Sequence, residues 1–233
     1  MALPDPADID AVIFDAGGVL LLPDAAAGRA LLRELGYEPR DEDWERAHYL
    51  TTRIFDAMAV PDWPEVRRAF ARALGVADAD VDAAAPLIER LVASTPWTSI
   101  PGVSTALHDL GAAGFKLGVV SNSMGTIREQ LESGGVCTVD DGSPLPRVAV
   151  IVDSHHVGVE KPDPRIFHLA LRAMEVEAAR SVYIGDTVSA DMVGAAGAGL
   201  HGLHLDPYGL CTGEHPHLGG LRDLLDWLVP NRG

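Results

Sequence analysis

Downstream of Pro101 the sequence alternates between two periods, and that alternation restricts the fold more than any other feature. Short apolar runs at Phe115 to Val120, Val148 to Val152, Ser181 to Ile184 and Leu203 to Leu205 read as strands. Helical stretches lie between them, over about Met124 to Leu131, Pro164 to Met174 and Ala190 to Ala198, and Leu221 to Leu228 forms a closing helix. The strand runs carry the near-continuous hydrophobicity of strands buried on both faces. Strands joined by crossover helices imply a parallel sheet with helices on both sides. Ala11 to Phe14 is one more such run, close to the start of the chain.

Between Pro23 and about Pro96 the character changes. Segments rich in Ala, Leu, Arg and Glu are broken at Gly36, Pro39, Pro61 and Gly75, and no strand pattern occurs. Asp24 to Leu35, Asp62 to Leu74 and Asp78 to Ala93 read as helices. Trp44, His48, Thr51, Phe55 and Met58 fall at helical spacing, an apolar stripe on a further helix of about 18 residues. The layout is therefore an α/β core formed by residues 1–21 and 96–233, with a helical bundle over 22–95 inserted after the first strand. An insertion at that point stands over the carboxyl ends of the strands, where open α/β sheets bind ligands.

Charge narrows the choice of partner. The chain of 233 residues carries 18 Lys and Arg against 34 Asp and Glu, a net charge of −16. Nucleic acids and anionic membranes require a basic footprint, so neither is expected as a partner. No apolar run approaches the roughly 18 to 20 residues that a membrane crossing needs. The opening MALPDPADID has neither the basic nor the apolar region of a secretory signal. Cys137 and Cys211 match no metal spacing and make no disulfide framework. The cytoplasm is the expected location. His201, His204, His215 and His217 match no familiar ligand spacing and are expected at the surface.

The chemistry-bearing residues sit where the strands end. The first strand runs into Asp15, the second into Ser121 and Asn122, the third leads to Lys161, and the fourth ends at Gly185 and Asp186, with Asp191 close behind. Each has a bland reading alone, as a turn or a helix cap. Together they make chemical sense. Asp15 and Asp186 can share a hard cation such as Mg2+ through oxygen ligands. Ser121, Asn122 and the Lys161 ammonium can bind phosphate oxygens. Asp15 is then placed to attack phosphorus and form an aspartyl phosphate.

These stretches resemble the four motifs of the haloacid dehalogenase superfamily of hydrolases. FDAGGVL resembles the first, with Asp15 as nucleophile; VVSNS the second, with Ser121; VGVEKPDPRIF the third, with Lys161; and YIGDTVSAD the fourth, with Asp186 and Asp191. The resemblance implies a Rossmann-like three-layer core with a helical cap that closes over a small phosphorylated metabolite. It also implies a Mg2+ site formed by Asp15, the Gly17 carbonyl and Asp186, with Asp191 supporting it. In the cap, Arg29, His48 and Arg53 are the candidates for substrate contacts.

One position departs from the pattern. Phosphatases of this superfamily usually carry a second Asp two residues after the nucleophile, as proton donor and then base, and here that residue is Gly17. Losing a positioned acid costs roughly 10²- to 10⁴-fold in rate. The reading that follows is a Mg2+-dependent phosphatase lacking this side chain. Two alternatives stay open: a weak or inactive phospholigand-binding protein, and a 2-haloacid dehalogenase, whose halide leaves unprotonated. Phosphonate cleavage, which resembles this layout but needs a cap lysine, is disfavoured because no lysine lies between Leu22 and Pro101.

Overall fold

A computed structural model describes residues 3–94 and 97–231 of the chain. It divides into two compact units, Met1–Leu21 with Ser99–Gly233, and Leu22–Thr98. The junction anticipated between residues 95 and 96 lies outside the described residues.

In chain order the elements are β1 (Ala11–Phe14), β2 (Leu21–Pro23), α1 (Ala25–Leu32), α2 (Asp41–Asp56), α3 (Trp63–Ala73), α4 (Val81–Ser94) and β3 (Trp97–Ser99). There follow α5 (Val103–Ala112), β4 (Lys116–Ser121), α6 (Ile127–Ser133), β5 (Val150–Asp153), α7 (Ser154–Val157) and α8 (Pro164–Met174). The chain closes with β6 (Ser181–Gly185), α9 (Val193–Gly197), β7 (His201–Leu205), β8 (His217–Leu218) and α10 (Leu221–Leu228). The helices α5 and α7 and the short strands β2, β3 and β8 add to the elements expected from the sequence.

The larger unit is built on a six-stranded sheet in the order β5-β4-β1-β6-β7-β8, with every pair parallel. Counting only its own strands, that order is 3-2-1-4-5-6. The chain moves outward from β1 to one edge, then returns across β1 to build the other side. The gap between β1 and β6 is thus the switch point, the place where such sheets leave room for a ligand at their carboxyl ends. Every residue of β1 and of β6 is buried, as the apolar runs required. On one face α8 contributes Ile166, Phe167, Ala170, Leu171 and Met174 to a core shared with Ile13, Val120 and Tyr183. That helix begins where Asp163 accepts a hydrogen bond from the Arg165 amide and Pro164 takes a first-turn position.

The smaller unit is a helical bundle. Asp24 caps α1 by accepting from the Ala27 amide, and Asp62 caps α3 by accepting from the Glu65 amide. Its core gathers Leu32, Trp44, Ala47, Phe70, Leu74, Val81, Ile88 and Leu91. The stripe foreseen on α2 is shorter than expected. Trp44 and Thr51 are buried, but the helix ends at Asp56, so Met58 lies beyond it. Among the described residues, no helix is long and apolar enough to cross a membrane.

Phe167 is fully buried, and its ring meets that of Tyr183 edge-on with centroids 4.9 Å apart. Phe167→Ala is therefore expected to destabilise the larger unit by about 3–5 kcal/mol, whereas Phe167→Leu should cost about 1.5 kcal/mol or less. Denaturant unfolding of both variants checks this. Near-equal, small losses for the two would contradict the packing described.

Candidate active site

The sheet register brings the strand-end residues together. Phe14 stands opposite Val119 on one side and Ile184 on the other, so Asp15 leaves the sheet level with Val120 and Gly185. Its amide still donates to the Ile184 carbonyl at 2.8 Å, which ties the start of the turn to β6. Ser121 and Asp186 lie one step further along their strands and are buried, with Ser121 opposite Asp153 in the register of β4 and β5.

A buried ammonium joins the set. Lys161 Nζ lies 2.7 Å from Asp15 Oδ1 and 2.7 Å from Asp191 Oδ1, and it donates to the Tyr183 hydroxyl at 3.0 Å. Three donors on one ammonium thus meet three acceptors. The Tyr183 hydroxyl lies in turn 2.9 Å from Asp191 Oδ1 and 3.2 Å from the Val120 carbonyl. The other Asp191 oxygen accepts from the Thr187 amide at 3.0 Å and from its hydroxyl at 2.6 Å. Both oxygens of Asp191 are therefore engaged, and the residue is fully buried, while Asp15 keeps 8% of its surface exposed. The difference separates a carboxylate that supports the site from one that can meet a ligand. Gly185 makes room for this arrangement. A Cβ there would stand 2.3 Å from Asp191 Cγ.

Electrostatics explain what the cluster lacks. Burial, helped by the Asp191 and Asp186 charges and opposed by Lys161, pushes the Asp15 carboxyl up to about 7. Asp191 is held below the usual carboxylate range, because Lys161 and Thr187 together overcome the cost of its burial. Burial works against the Lys161 charge too, but Asp15 and Asp191 hold the ammonium above its ordinary value. Carboxylate oxygens of Asp15, Asp186 and Asp191 all lie within 4.8 Å of one another. Three buried carboxylates against one ammonium leave an excess of negative charge on hard oxygen donors, and that is the donor set a Mg2+ ion fits.

The turn after Asp15 closes tightly. The Gly18, Val19 and Leu20 amides donate to the carbonyls of Leu21, Ala16 and Ala16, and Gly17 pairs with Leu21 in an isolated bridge. Asn122, the other residue expected at the phosphate, is tied to the lysine loop. Its carboxamide donates to the Lys161 carbonyl at 3.0 Å and accepts from the Lys161 amide at 2.8 Å, so the side chain holds the lysine loop onto the end of β4. Arg29, His48 and Arg53 belong to the helical unit. There Arg29 pairs with Asp41, Arg53 lies 3.8 Å from Asp56, and His48 packs edge-on to Tyr49.

Sequence reasoning missed Tyr183 and Thr187. A hydroxyl-bearing ring in the middle of an otherwise aliphatic buried strand was the available signal, since a buried tyrosine hydroxyl needs a partner. The expectation of a surface position is corrected for His204, while His217 is exposed. His204 is buried, and its Nε2 lies 3.1 Å from the Asp186 carbonyl oxygen. The cause is register: the parallel pairing sets His204 opposite Gly185, beside the strand end.

Comparison with known proteins agrees with this architecture. The family of haloacid dehalogenase-like hydrolases matches residues 9–199, well over half of the chain. The chain is 36% identical over 126 residues to haloacid dehalogenase-like hydrolase domain-containing protein 3 of Bos taurus, covering 52% of this chain and 47% of that protein. It is 37% identical over 105 residues to the glyceraldehyde 3-phosphate phosphatase of Methanothermobacter thermautotrophicus, covering 44% and 42%. The chain thus spans about half the length of these curated relatives. Among solved structures, an HAD phosphatase from Thermococcus onnurineus shares the fold with a TM-score of 0.60 at 22% identity, covering 97% of this chain and 100% of that one.

Two substitutions test the network. Tyr183→Phe leaves the buried Val120 carbonyl without its partner and should cost about 1–3 kcal/mol in denaturant unfolding; a neutral effect would contradict the bonding described. Asp15→Asn should do the opposite in the metal-free protein. A carboxyl raised on folding is penalised when ionised, a penalty absent below its unfolded pKa of 3.8 and full above about 7. In EDTA the variant is expected to gain up to a few kcal/mol near pH 8 and less near pH 5, at about 1.4 kcal/mol per pKa unit. Equal stability at both pH values would show that Asp15 is not under strain.

Proposed function

From the premise that this chain belongs to the haloacid dehalogenase-like hydrolase family, we propose that it is a Mg2+-dependent phosphatase acting on a small phosphate monoester. The observation that carries the reading is the buried convergence of Asp15, Lys161, Asp186 and Asp191 at the switch point of the sheet. The activities for which its relatives are named support the substrate class, since they include glyceraldehyde 3-phosphate, phosphoserine and ribulose-1,5-bisphosphate phosphatases.

In this reading Asp15, the Gly17 carbonyl and Asp186 hold the cation, and Asp191 keeps Lys161 and the loop at Thr187 in place. The bound Mg2+ supplies positive charge that offsets repulsion between the phosphate and the carboxylates. An Asp15 oxygen forms a bond to phosphorus as the ester P–O bond breaks, and the alcohol leaves with a proton drawn from water. Water then attacks the aspartyl phosphate, releasing inorganic phosphate and returning Asp15 to its carboxylate form. Lys161 lies against Asp15 and follows the developing charge without having to move, which is the value of a preorganised cation. Ser121 is the hydroxyl that binds the transferred group, and Asn122 acts through Lys161. The helical unit serves as the cap, with Arg29, His48 and Arg53 as its substrate-facing candidates. Two free thiols and no disulfide fit a reducing compartment, the cytoplasm.

Gly17 offers no side-chain acid or base, so both protonation steps fall to water or to the substrate. A panel of phosphate monoesters assayed with Mg2+ tests the proposal. Wild type should turn over at least one ester, lose activity in EDTA and lose it in Asp15→Asn. Gly17→Asp should raise the rate by roughly 10²- to 10⁴-fold if the missing acid is what limits it. Binding of phosphorylated ligands with no turnover of any ester would replace the enzyme with a binding protein, and chloride release from 2-chloropropionate would replace the phosphatase with a dehalogenase.

A further inference from the structure

A second cluster lies on the same sheet, beyond β6. His204 is in β7, His217 opens β8, and Cys211 and His215 lie on the loop between them. One nitrogen from each imidazole and the Cys211 sulfur all lie within 4.8 Å of one another. His204 Nδ1 is 3.0 Å from His215 Nε2, and Cys211 Sγ is 3.6 Å from that same nitrogen. Donors bonded to one tetrahedral cation at about 2.0–2.1 Å for nitrogen and about 2.3 Å for sulfur stand about 3.3–3.6 Å apart. The Cys211–His215 separation is of that size, and the His204–His215 separation is slightly shorter. The three rings pack with centroids 4.6 to 5.3 Å apart and tilted by 38° to 52° to one another.

The surroundings are those of a ligand shell. A metal-bound histidine typically donates its outer ring N–H to a carbonyl or carboxylate, which fixes the tautomer. His204 Nε2 lies 3.1 Å from the Asp186 carbonyl oxygen, which leaves the Nδ1 lone pair facing the cluster. The Gly213 amide donates to Cys211 Sγ at 3.4 Å, which fixes where the sulfur points. Asp206 accepts from the Leu210 and Cys211 amides at 2.9 and 2.7 Å and so folds the loop that carries Cys211. Gly213 leaves space for the ring, because a Cβ there would stand 2.6 Å from His215 Cε1 and displace that side chain.

We propose that His204, Cys211, His215 and His217 form a tetrahedral site for a divalent transition metal, zinc by its three-nitrogen, one-sulfur donor set, which pins the 206–217 loop to the strand end bearing Asp186. The four protein ligands fill the coordination sphere, so the site is structural. It is chemically separate from the carboxylate cluster, whose oxygens suit a hard cation. Through the His204–Asp186 bond it supports the position of that cluster, and the proposal stands whether or not the chain is a phosphatase.

Metal analysis of the full chain tests it. Protein stripped with chelator, reloaded with Zn2+ and desalted into Mg2+ buffer should retain one zinc per chain. Cys211→Ser and His217→Ala should bind zinc roughly tenfold or more weakly, while Asp186→Asn should retain it. Loading Co2+ into the stripped wild type should give thiolate-to-cobalt charge-transfer absorption and intense visible bands of tetrahedral cobalt, with the charge-transfer absorption lost in Cys211→Ser. Circular dichroism establishes that the variants fold, and the wild-type cobalt spectrum decides the question if they do not. No retained zinc and no tetrahedral cobalt spectrum would overturn the proposal, leaving hydrogen-bonded histidines only. Equal zinc in wild type and both folded cluster variants would also overturn it, by placing the metal elsewhere.

Discussion

The ammonium of Lys161 governs the carboxyl edge of this sheet. It is buried within 2.7 Å of both Asp15 and Asp191, and its charge opposes the cost that burial puts on ionising each carboxylate. The rest of the local structure serves to keep that nitrogen in place. Asn122 grips the lysine backbone from β4, Tyr183 meets the amine from within β6, and Thr187 fixes the far oxygen of Asp191. These groups arrive from β4 and from β6 with the turn that follows it, so the site depends on the register that sets these strands on either side of β1. A buried ion pair of this kind contributes little net stability, because desolvation offsets most of its Coulomb attraction. Its worth lies in specifying one geometry for Asp15.

That geometry leaves charge uncompensated. Three carboxylates face one ammonium, and the imbalance falls on Asp15, the least buried of the three. A site built for its own stability would have omitted one carboxylate or added a cation. The retained excess is what a ligand of opposite charge relieves, which ties the cost of folding to the capacity for binding. The neighbouring histidine and cysteine cluster follows a different rule, with softer donors on a loop whose path the backbone amides define. The two clusters meet at one residue, Asp186, whose side chain faces one and whose carbonyl faces the other.

Much of this was legible from local pattern. The buried parallel strands, the helix Pro164–Met174 and the break into a helical bundle follow from periodicity, because burial on two faces or on one stripe leaves a mark within a few residues. The strand-end positions of Asp15, Ser121 and Asp186 follow from the same marks. What escaped depends on contacts between distant segments. The hold of Asn122 on the 161 loop, 39 residues away, leaves no mark in the local pattern. Tyr183 reads as one more buried ring until Lys161 reaches its hydroxyl. The spacing of His204, Cys211, His215 and His217 is irregular because a loop, not a helix or strand, brings them together.

The proposed reaction turns on Asp15 acting as the nucleophile, and mass analysis of the acid-quenched protein tests that most directly. Wild type mixed with Mg2+ and a phosphate ester it hydrolyses, then quenched within the first turnover, should carry one phosphoryl group on the peptide containing Asp15. With Gly17 offering no base to hasten the second step, that adduct should accumulate, and Asp15→Asn should show none. Turnover with no adduct on that peptide, or an adduct on a different residue, would contradict the account.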